Sequence, residues 1–530
     1  MKKRIFLVLL LLISIFSLSA CKEEKPITEF KMSGHIMDYM YSSEQTNNVK
    51  SKMVQAEDIL DNDGDYKEFY NLYLDISEYA SDLLTYSKIE KIKHSISGKQ
   101  ASLVMYSNIS RDYFILKEWL DRIHNKLYNS KHKDEFYDNY SKEEIEELLL
   151  DTKTSDFYKI KKEADALVSK YNNINNVDLL YETPAIYAEV IKKNNELAKT
   201  AGYDNYLDYA YKEIYKRDYT PEDALEYCGY VKKYIAPIFF VENEEFEKFY
   251  LTTPIEDYNE YVKFFGRKFY ENKSLLDSFA KSIGGSYYTN YHSLWDGGYY
   301  TFSSDKKSIN NAFTTYLDNL NTPYVYFGPE YHDVLTVAHE YGHYYSIVRT
   351  KEMPKAYDLA ETHSQSNEFL FLSYLDEVEY ISDITVELIQ RRYILDVLQD
   401  IIFDAIITEM EYKLYNIDEF QPRDIDGFCI NICDEYGGYV RLVKLCGDPC
   451  NFWKYVLVDS PAYYVSYAMS LIPTLSLFQI SKSDFDLSVD IYNSLCSNGS
   501  NFISTITKLG LANPFNEQEL KSLVEYIASF

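Results

Sequence analysis

The sequence has little positive charge for its length. Its 530 residues include 54 lysines and arginines against 83 aspartates and glutamates, which gives a formal net charge of −29. A chain of this charge repels the phosphate backbone of nucleic acids, so we expect no nucleic-acid partner. The plain interpretation is a well-solvated surface, with a weak bias towards cationic substrates.

Long apolar runs are also scarce. The main one, from Ile5 to Phe16, follows three cations and is followed by small residues up to Cys21. It is shorter than the roughly 20 residues that a membrane-spanning helix needs, and its pattern is typical of an export signal. Removing residues 1–20 would change the net charge to −32, because this segment carries three cations and no acids. A later apolar stretch is interrupted by Pro461 and Pro473, and we interpret it as buried core.

The four residues Leu18-Ser19-Ala20-Cys21, which follow the N-terminal apolar run, resemble the lipobox of bacterial lipoproteins. The resemblance implies that Cys21 becomes the acylated first residue of an exported protein, anchored to the outer face of the bacterial cell membrane. We therefore expect a lipoprotein signal peptide at 1–20 and a polar tether at 21–45. A folded body would follow from 46 to 530.

Cysteines are few, and no internal repeat or low-complexity block occurs. Besides Cys21, six are present: Cys228, Cys429, Cys433, Cys446, Cys450 and Cys496. Two pairs have three residues between their members, whereas structural zinc ribbons usually have two. The sequence thus predicts disulfides or free buried thiols more than a zinc ribbon.

Helical patterns dominate the folded body. Thr220 and Pro221 form a helix start, and apolar residues keep helical spacing along a long segment at about 382–415. The exception is the region from about 284 to 329, where short aromatic, β-favouring runs such as "GGSYYTNYHSLWDGGYYTFS", "NAFTTYL" and "TPYVYF" are separated by Gly, Asn and Pro. We predict a mainly α protein with a small β-sheet in this region.

Histidines are rare, with nine in the chain, yet two lie four residues apart directly after the predicted sheet. In "TVAHEYGHYYS" a helix would place His339 and His343 on one face, where both imidazoles could bind one tetrahedral zinc ion. Glu340 points about 100° away, where it could act as general base on a water activated by the ion. The alternative is a pair of core histidines without metal.

A catalytic zinc ion needs a third protein ligand, and "YDLAETHSQSNEFL" supplies candidates. Glu361 and Glu368 lie two turns apart on one helical face, and His363 is a rival. The pattern resembles the metal site of the thimet oligopeptidase and oligoendopeptidase F superfamily of zinc peptidases. The resemblance implies that Glu361 is the third ligand and that Glu368 orients a liganding histidine.

A second segment, "SPAYYVSYAMS", is similar to the tyrosine-rich segment with which these peptidases stabilise the tetrahedral intermediate. The resemblance assigns that role to Tyr463 and a substrate contact to Tyr467, with Tyr464 as the rival donor if the alignment shifts by one residue. Aromatic core is the alternative for a chain with 55 tyrosines. Many relatives also have a histidine shortly before this tyrosine. Here none follows His363, and Trp453 or Tyr455 stands near the expected place.

The resemblance implies a two-lobed helical peptidase with a deep central channel and a small sheet next to the metal-binding helix. One catalytic unit would span 46–530, with its metal-site core at about 310–370 and 455–470 and one Zn²⁺ per chain. An extended peptide substrate would pair with an edge strand around Ala312 and Phe313. Two alternatives stay open: a carboxypeptidase or dipeptidase of the same metal class, and a surface lipoprotein that captures peptides without cutting them.

Overall fold

The computed structural model describes residues 28–30, 41–138, 140–142, 145, 149, 154–174, 176–497 and 501–530. The predicted signal peptide and Cys21 lie outside these residues, as does most of the predicted tether. Within the tether, however, Thr28–Phe30 is not free linker but a short strand that pairs with the sheet.

The described residues are mainly helical, as predicted. The helices of the first part are α1 (Ser43–Asp61), α2 (Tyr66–Ser97), α3 (Gln100–Tyr128), α4 (Lys133–Tyr137), α5 (Ser155–Asn172), α6 (Asn176–Thr200) and α7 (Tyr206–Tyr209). The helices that lead to the sheet are α8 (Pro221–Tyr230), α9 (Ala236–Thr252), α10 (Ile255–Phe265), α11 (Phe269–Ile283) and α12 (Gly285–Asp296). Short π-helical turns, Ala210–Ile214 and Val231–Ile235, follow α7 and α8.

The remaining helices follow the sheet and carry most of the predicted site. They are α13 (Val334–Thr350), α14 (Tyr357–Tyr374), α15 (Asp383–Asn416), α16 (Ile425–Glu435), α17 (Tyr439–Cys446), α18 (Pro449–Val456), α19 (Val465–Ser481), α20 (Phe485–Leu495), α21 (Phe502–Lys508) and α22 (Glu517–Ser529). Single 3₁₀ turns occur at Asp318–Leu320, Leu375–Glu377 and Pro422–Asp424. The helix start predicted at Thr220 and Pro221 is confirmed for α8, and it takes the form of a capping box in which the Thr220 and Asp223 side chains each accept a hydrogen bond from the other's backbone N–H.

A four-stranded sheet lies beside α13. Its strands are β1 (Thr28–Phe30), β2 (Tyr300–Ser303), β3 (Ala312–Leu317) and β4 (Thr322–Phe327), in the order β1-β2-β4-β3. The β2 and β4 strands are parallel, and the two outer pairs are antiparallel. Among the described residues, β3 pairs with β4 alone, so no described strand lies along its other edge.

One part of the β prediction was wrong. The run "GSYYTNYHSLWD" forms helix α12 rather than a strand. Its buried side chains, Tyr287, Tyr291, Leu294 and Trp295, follow the helical spacing i, i+4, i+7 and i+8. The rings of Tyr287 and Tyr291 both pack edge-on against Tyr341 of α13, so packing overrides the β preference of the aromatic residues.

The apolar side chains form two large clusters, the cores of the two lobes. The smaller lobe is built from α1 to α4 and extends from Val49 to Tyr137. The larger core runs from Phe157 to Ile527 and includes the inner faces of α13, α14, α15 and α19. A small third cluster joins α2 to the sheet through Ile89, Ile92 and Phe313. The sheet therefore stands where the two lobes meet.

All six cysteines after Cys21 are free and buried, so the thiol alternative holds for the described residues. Among those residues, no helix combines the length and the apolar character that crossing a bilayer requires.

Candidate metal centre

Helix α13 presents the two predicted histidines. Asp333 caps its start by accepting hydrogen bonds from the backbone N–H groups of Leu335 and Thr336, at 3.0 and 3.1 Å. One turn apart on the helix, the rings of His339 and His343 have centroids separated by 4.9 Å. Both side chains keep some exposure, 13% and 17%, so a small molecule can reach them.

Helix α14 crosses α13 at very short range, and Gly342 allows this contact. A Cβ atom at position 342 would stand 2.7 Å from Cα of Ser364, closer than such atoms approach. Asn367 of α14 also donates a hydrogen bond to the carbonyl of Ala338 at 2.7 Å. The glycine between the two histidines therefore brings the next helix, and the third predicted ligand, close to the imidazoles.

Glu361 of α14 faces both rings. Its Oε2 atom lies 3.6 Å from Nε2 of His339 and 3.8 Å from Nε2 of His343. One donor atom from each of the three residues lies within 4.8 Å of the others. A tetrahedral ion with ligands at about 2.1 Å separates them by about 3.4 Å, so this group fits a zinc ion after small side-chain movements.

His363, the rival ligand, points elsewhere. It is fully buried, and its Nε2 atom lies 3.0 Å from the carbonyl oxygen of Leu495. Burial lowers the pKa of its imidazole to about 3, which keeps the ring neutral. His363 is thus a core residue and lies outside the metal group.

Glu368 stands directly behind His339, as the resemblance implied. Its Oε1 atom lies 2.6 Å from Nδ1 of His339, and its other oxygen accepts a hydrogen bond from Tyr393 of α15. Burial by itself lowers the pKa of His339, but the carboxylates of Glu368, Glu361 and Glu340 together outweigh it and raise this pKa overall. A carboxylate in this position fixes the ring so that Nε2 faces the site.

Glu340 is buried beside the metal group, where Thr314 of β3 donates a hydrogen bond to its Oε2 atom at 2.7 Å. Burial raises the pKa of Glu340 to about 7, although His339 and Thr314 oppose the shift. A carboxyl group with this pKa can both accept and release a proton near neutral pH. Sequence reasoning missed Thr314, since no local pattern links it to a glutamate 26 residues later.

Tyr463 reaches the metal group, and its rival does not. The hydroxyl of Tyr463 donates to Oε1 of Glu361 at 2.5 Å and lies 3.4 Å from the hydroxyl of Tyr467. Tyr464 is 7% exposed, and its ring packs edge-on against Phe452. The geometry thus selects Tyr463 as the tyrosine beside the metal ligands.

The short loop before Tyr463 is tied to two other elements. The backbone N–H of Ala462 donates to Oε1 of buried Glu411 in α15 at 2.7 Å, and the Tyr215 hydroxyl donates to the carbonyl of Pro461, also at 2.7 Å. Ala462 has a φ of +60°, a conformation that costs a non-glycine residue free energy. Sequence reasoning missed Glu411, which lies 51 residues before Ala462, near the C-terminal end of a long helix.

The position of the missing histidine is not filled by Trp453. That side chain is fully buried, and its indole N–H donates to Asp426 at 3.1 Å. Tyr455 is half-buried and packs against the core of the larger lobe. The two predicted substrate residues, Ala312 and Phe313, lie on the edge strand β3, next to Thr314.

Comparisons with known proteins agree with this architecture. No protein-family model and no curated protein matches the sequence. Several solved structures are similar over most of the chain. PZ peptidase A with an inhibitor has a TM-score of 0.72 and 16% identity, covering 93% of this chain and 98% of its own. A protein assigned as an oligoendopeptidase F of Bacillus anthracis has a TM-score of 0.68 and 18% identity, covering 94% of this chain and 98% of its own. A carboxypeptidase of Deinococcus radiodurans has a TM-score of 0.52 and 12% identity, covering 86% of this chain and 99% of its own.

At these identities the likeness establishes the fold alone. This chain has the mainly α-helical fold of oligoendopeptidase-type peptidases, as predicted from the sequence.

Proposed function

We propose that this protein is a zinc-dependent peptidase that cleaves short oligopeptides. The observation that carries the proposal is the convergence of His339, His343 and Glu361 on one point, with Glu340 and the Tyr463 hydroxyl beside them. The fold shared with oligoendopeptidases supports it independently.

Zinc is the proposed metal because two imidazoles and one carboxylate, on a helix with the His-Glu-x-x-His spacing, are a donor set of catalytic zinc sites. When bound, zinc would activate a water molecule and polarise the carbonyl of the scissile bond. His339 and His343 must be neutral to bind it, and burial lowers the pKa of His343 to about 4.

The remaining steps fall to residues of the chain. Glu340 would take the proton of the attacking water and return it to the leaving amine, a role that suits its raised pKa. The Tyr463 hydroxyl would turn from Glu361 to the oxygen that gains negative charge as the carbonyl is attacked.

The free edge of β3 is the proposed binding site for the peptide backbone. An extended peptide added to this edge would lie next to Ala312, Phe313 and Thr314, and Thr314 contacts Glu340 directly. Tyr467 would line the same site from the other side. A site between two lobes would admit short, flexible peptides and exclude folded proteins.

We also propose export and anchoring through acylated Cys21. The support is the sequence of the first 21 residues. The enzyme would then act on peptides outside the cell.

A carboxypeptidase of the same metal class is the second candidate, because one structurally similar protein is a carboxypeptidase. The two activities differ in their products. An endopeptidase cuts peptides with blocked ends internally, whereas a carboxypeptidase needs a free carboxyl terminus.

The test is an assay on internally quenched fluorescent peptides of five to ten residues, with the products identified by mass spectrometry. We expect cleavage that a chelator abolishes and that one equivalent of zinc restores. Amidated and free peptides run in parallel distinguish internal from terminal cleavage. An active preparation that is indifferent to chelation would contradict the metal mechanism, and a zinc-loaded protein that cleaves no peptide would contradict the peptidase function.

A further inference from the structure

Helix α2 of the smaller lobe lies along the edge strand β3 and runs in the opposite direction. At one end of the contact, the carbonyl of Ser95 accepts a hydrogen bond from the backbone N–H of Ile309 at 2.7 Å. At the other end, Lys88 Nζ donates to the carbonyl of Tyr316 at 2.8 Å. The helix therefore follows the strand next to which the substrate is proposed to bind.

Lys88 marks the side of β3 that is free. Tyr316 lies opposite Pro323 of β4, and proline has no backbone N–H to donate. The carbonyl of Tyr316 points away from β4 and towards Lys88. Backbone groups alternate in direction along a strand, so those of Thr314 and Ala312 face the same free edge. Lys88 also forms an ion pair with Asp318 at 2.6 Å, so its charge is already compensated.

Lys91 follows on the same flank of α2, about one turn further along. Its ammonium group lies 4.9 Å from the centroid of the Phe313 ring. Phe313 is the residue next to Thr314, whose hydroxyl contacts the proposed general base Glu340. Neighbouring side chains of a strand point to opposite faces, so Lys91 lies with Phe313 on the face of β3 opposite Glu340, beside the strand to which the peptide would add.

The charge of Lys91 is uncompensated. Within the part of the chain that the structure describes, Lys91 forms no ion pair, although its neighbours Lys88 and Lys93 both do. This is notable in a chain with 83 acidic and 54 basic residues. The side chain is exposed to solvent, yet the surrounding protein and Lys88 lower the pKa of its amine.

We propose that Lys91 is a specificity-determining residue that binds a carboxylate of the peptide substrate, an inference that rests on the proposed peptidase function. An ammonium group that has a ring contact but no ion-pair partner can gain a charge-assisted hydrogen bond by binding an anion. The acidic groups of the catalytic centre repel anions, which leaves Lys91 to attract the carboxylate to one defined place. That carboxylate belongs either to an aspartate or glutamate side chain or to the carboxyl terminus of the peptide.

The experiment compares matched peptides that differ in one charge. One series replaces glutamine by glutamate at successive positions around the cleaved bond, and a second compares free with amidated carboxyl termini. For the zinc-loaded wild type we expect kcat/KM to be about 10-fold higher for the acidic member at one position, because a hydrogen bond to a charged group is gained. The ratio of kcat/KM for the acidic peptide to kcat/KM for the neutral peptide should fall to about one in Lys91→Gln. In Lys91→Glu it should fall below one.

Lys67→Gln is the matched control. Lys67 is an exposed lysine of the same helix, roughly 36 Å from Lys91 along the axis, and should keep the wild-type ratio. A preference that appears only in the first series identifies a side-chain carboxylate, and one that appears only in the second identifies the terminal carboxylate.

Two outcomes would overturn the inference without touching the proposed function. One is a wild-type enzyme that cleaves acidic and neutral peptides equally well. The other is a Lys91→Gln variant that retains the wild-type preference. If no peptide is cleaved, the peptidase function fails, and fluorescence anisotropy of the same labelled peptides still tests Lys91. Equal loss of affinity for acidic and neutral peptides in Lys91→Gln would then refute carboxylate binding.

Discussion

The Nδ1 atom of His339 lies 2.6 Å from Oε1 of Glu368, and the second oxygen of Glu368 accepts a hydrogen bond from Tyr393. A proposed ligand from α13 thus contacts a carboxylate from α14, which is itself held by α15. Glu368→Gln keeps the shape of the side chain but removes its charge. We expect this variant to bind zinc about 10- to 100-fold more weakly, as measured by competition with a chromophoric chelator.

Tyr393→Phe is a milder variant that tests the same contact. It leaves the Glu368 charge in place and removes only one hydrogen bond, so its effect on zinc affinity should be smaller. Zinc affinity in Glu368→Gln equal to that of the wild type would show that Glu368 does not orient the ligand.

Metal binding and catalysis should separate between neighbouring residues of α13. Glu340 follows His339 in the chain, but its carboxylate accepts a hydrogen bond from Thr314 and does not belong to the group of three proposed ligands. Glu340→Gln should therefore retain about one equivalent of zinc and lose nearly all activity. His339→Ala and Glu361→Ala should lose both. The zinc content of purified protein, measured by atomic absorption, decides the assignment, and full zinc occupancy in Glu361→Ala would exclude it as a ligand.

The parts of the site that the sequence predicted share one property, which is that their geometry is local. The spacing of His339 and His343 defines a helical face without knowledge of the fold. Glu361 could be chosen over His363 only through the family resemblance, because both residues lie on the same short segment. The structure adds the physical reason: His363 faces Leu495 in the core, whereas Glu361 faces the imidazoles.

The parts that the sequence did not predict depend on packing between distant segments. Thr314 reaches Glu340 from a strand, and Glu411 reaches Ala462 from near the C-terminal end of α15. Neither residue has a local pattern that points to a role. The error in α12 has the same origin, since aromatic residues favour strands until a neighbouring helix supplies a surface for them.

Glu411 should make the stability of the protein dependent on pH. Burial raises the pKa of its carboxyl group from 4.5 to about 8, so the native state binds this proton more tightly than the unfolded state. Between these two pH values the unfolded state holds fewer protons, and the free energy of unfolding contributed by Glu411 falls as pH rises. Glu411→Gln does not titrate and can still accept the Ala462 hydrogen bond. We expect its melting temperature, relative to wild type, to rise steadily from pH 5 to pH 8.

A second variant separates charge from the hydrogen bond. Glu411→Leu leaves the buried N–H of Ala462 without this acceptor, which costs about 1–3 kcal/mol, and it should loosen the loop that carries Tyr463. Its kcat should fall more than that of Glu411→Gln. A melting-temperature difference between Glu411→Gln and wild type that does not change with pH would contradict the assignment.

Anchoring through Cys21 predicts a change of cell fraction. Acylation requires the cysteine thiol, so Cys21→Ser should shift the protein from the membrane fraction into the medium or into an uncleaved precursor. Immunoblots of fractionated cells, with mass spectrometry of the mature amino terminus, measure both outcomes. A mature Cys21→Ser protein that remains bound to the membrane would rule out this anchor.

Tyr463 provides the last prediction, because its hydroxyl donates a hydrogen bond to Glu361, a proposed metal ligand. A hydroxyl aimed at a developing oxyanion in a site shielded from water is stronger in the transition state than in the ground state, so its loss should lower kcat more than it raises KM. Tyr463→Phe removes only this hydroxyl and keeps the ring that packs against Tyr215 and Tyr467. We expect kcat to fall by a factor on the order of 10²–10³.

Zinc content and melting temperature serve as controls, since Tyr463 also touches Glu361 and a loss of metal would mimic a loss of catalysis. Tyr464→Phe and Tyr467→Phe complete the comparison. Tyr464 is packed in the core, so its variant should keep wild-type kcat, whereas Tyr467→Phe should show an intermediate effect through its contact with Tyr463. If all three variants bind zinc and turn over like wild type, the segment serves packing alone, and the oxyanion must be stabilised by the metal and by a donor outside this segment.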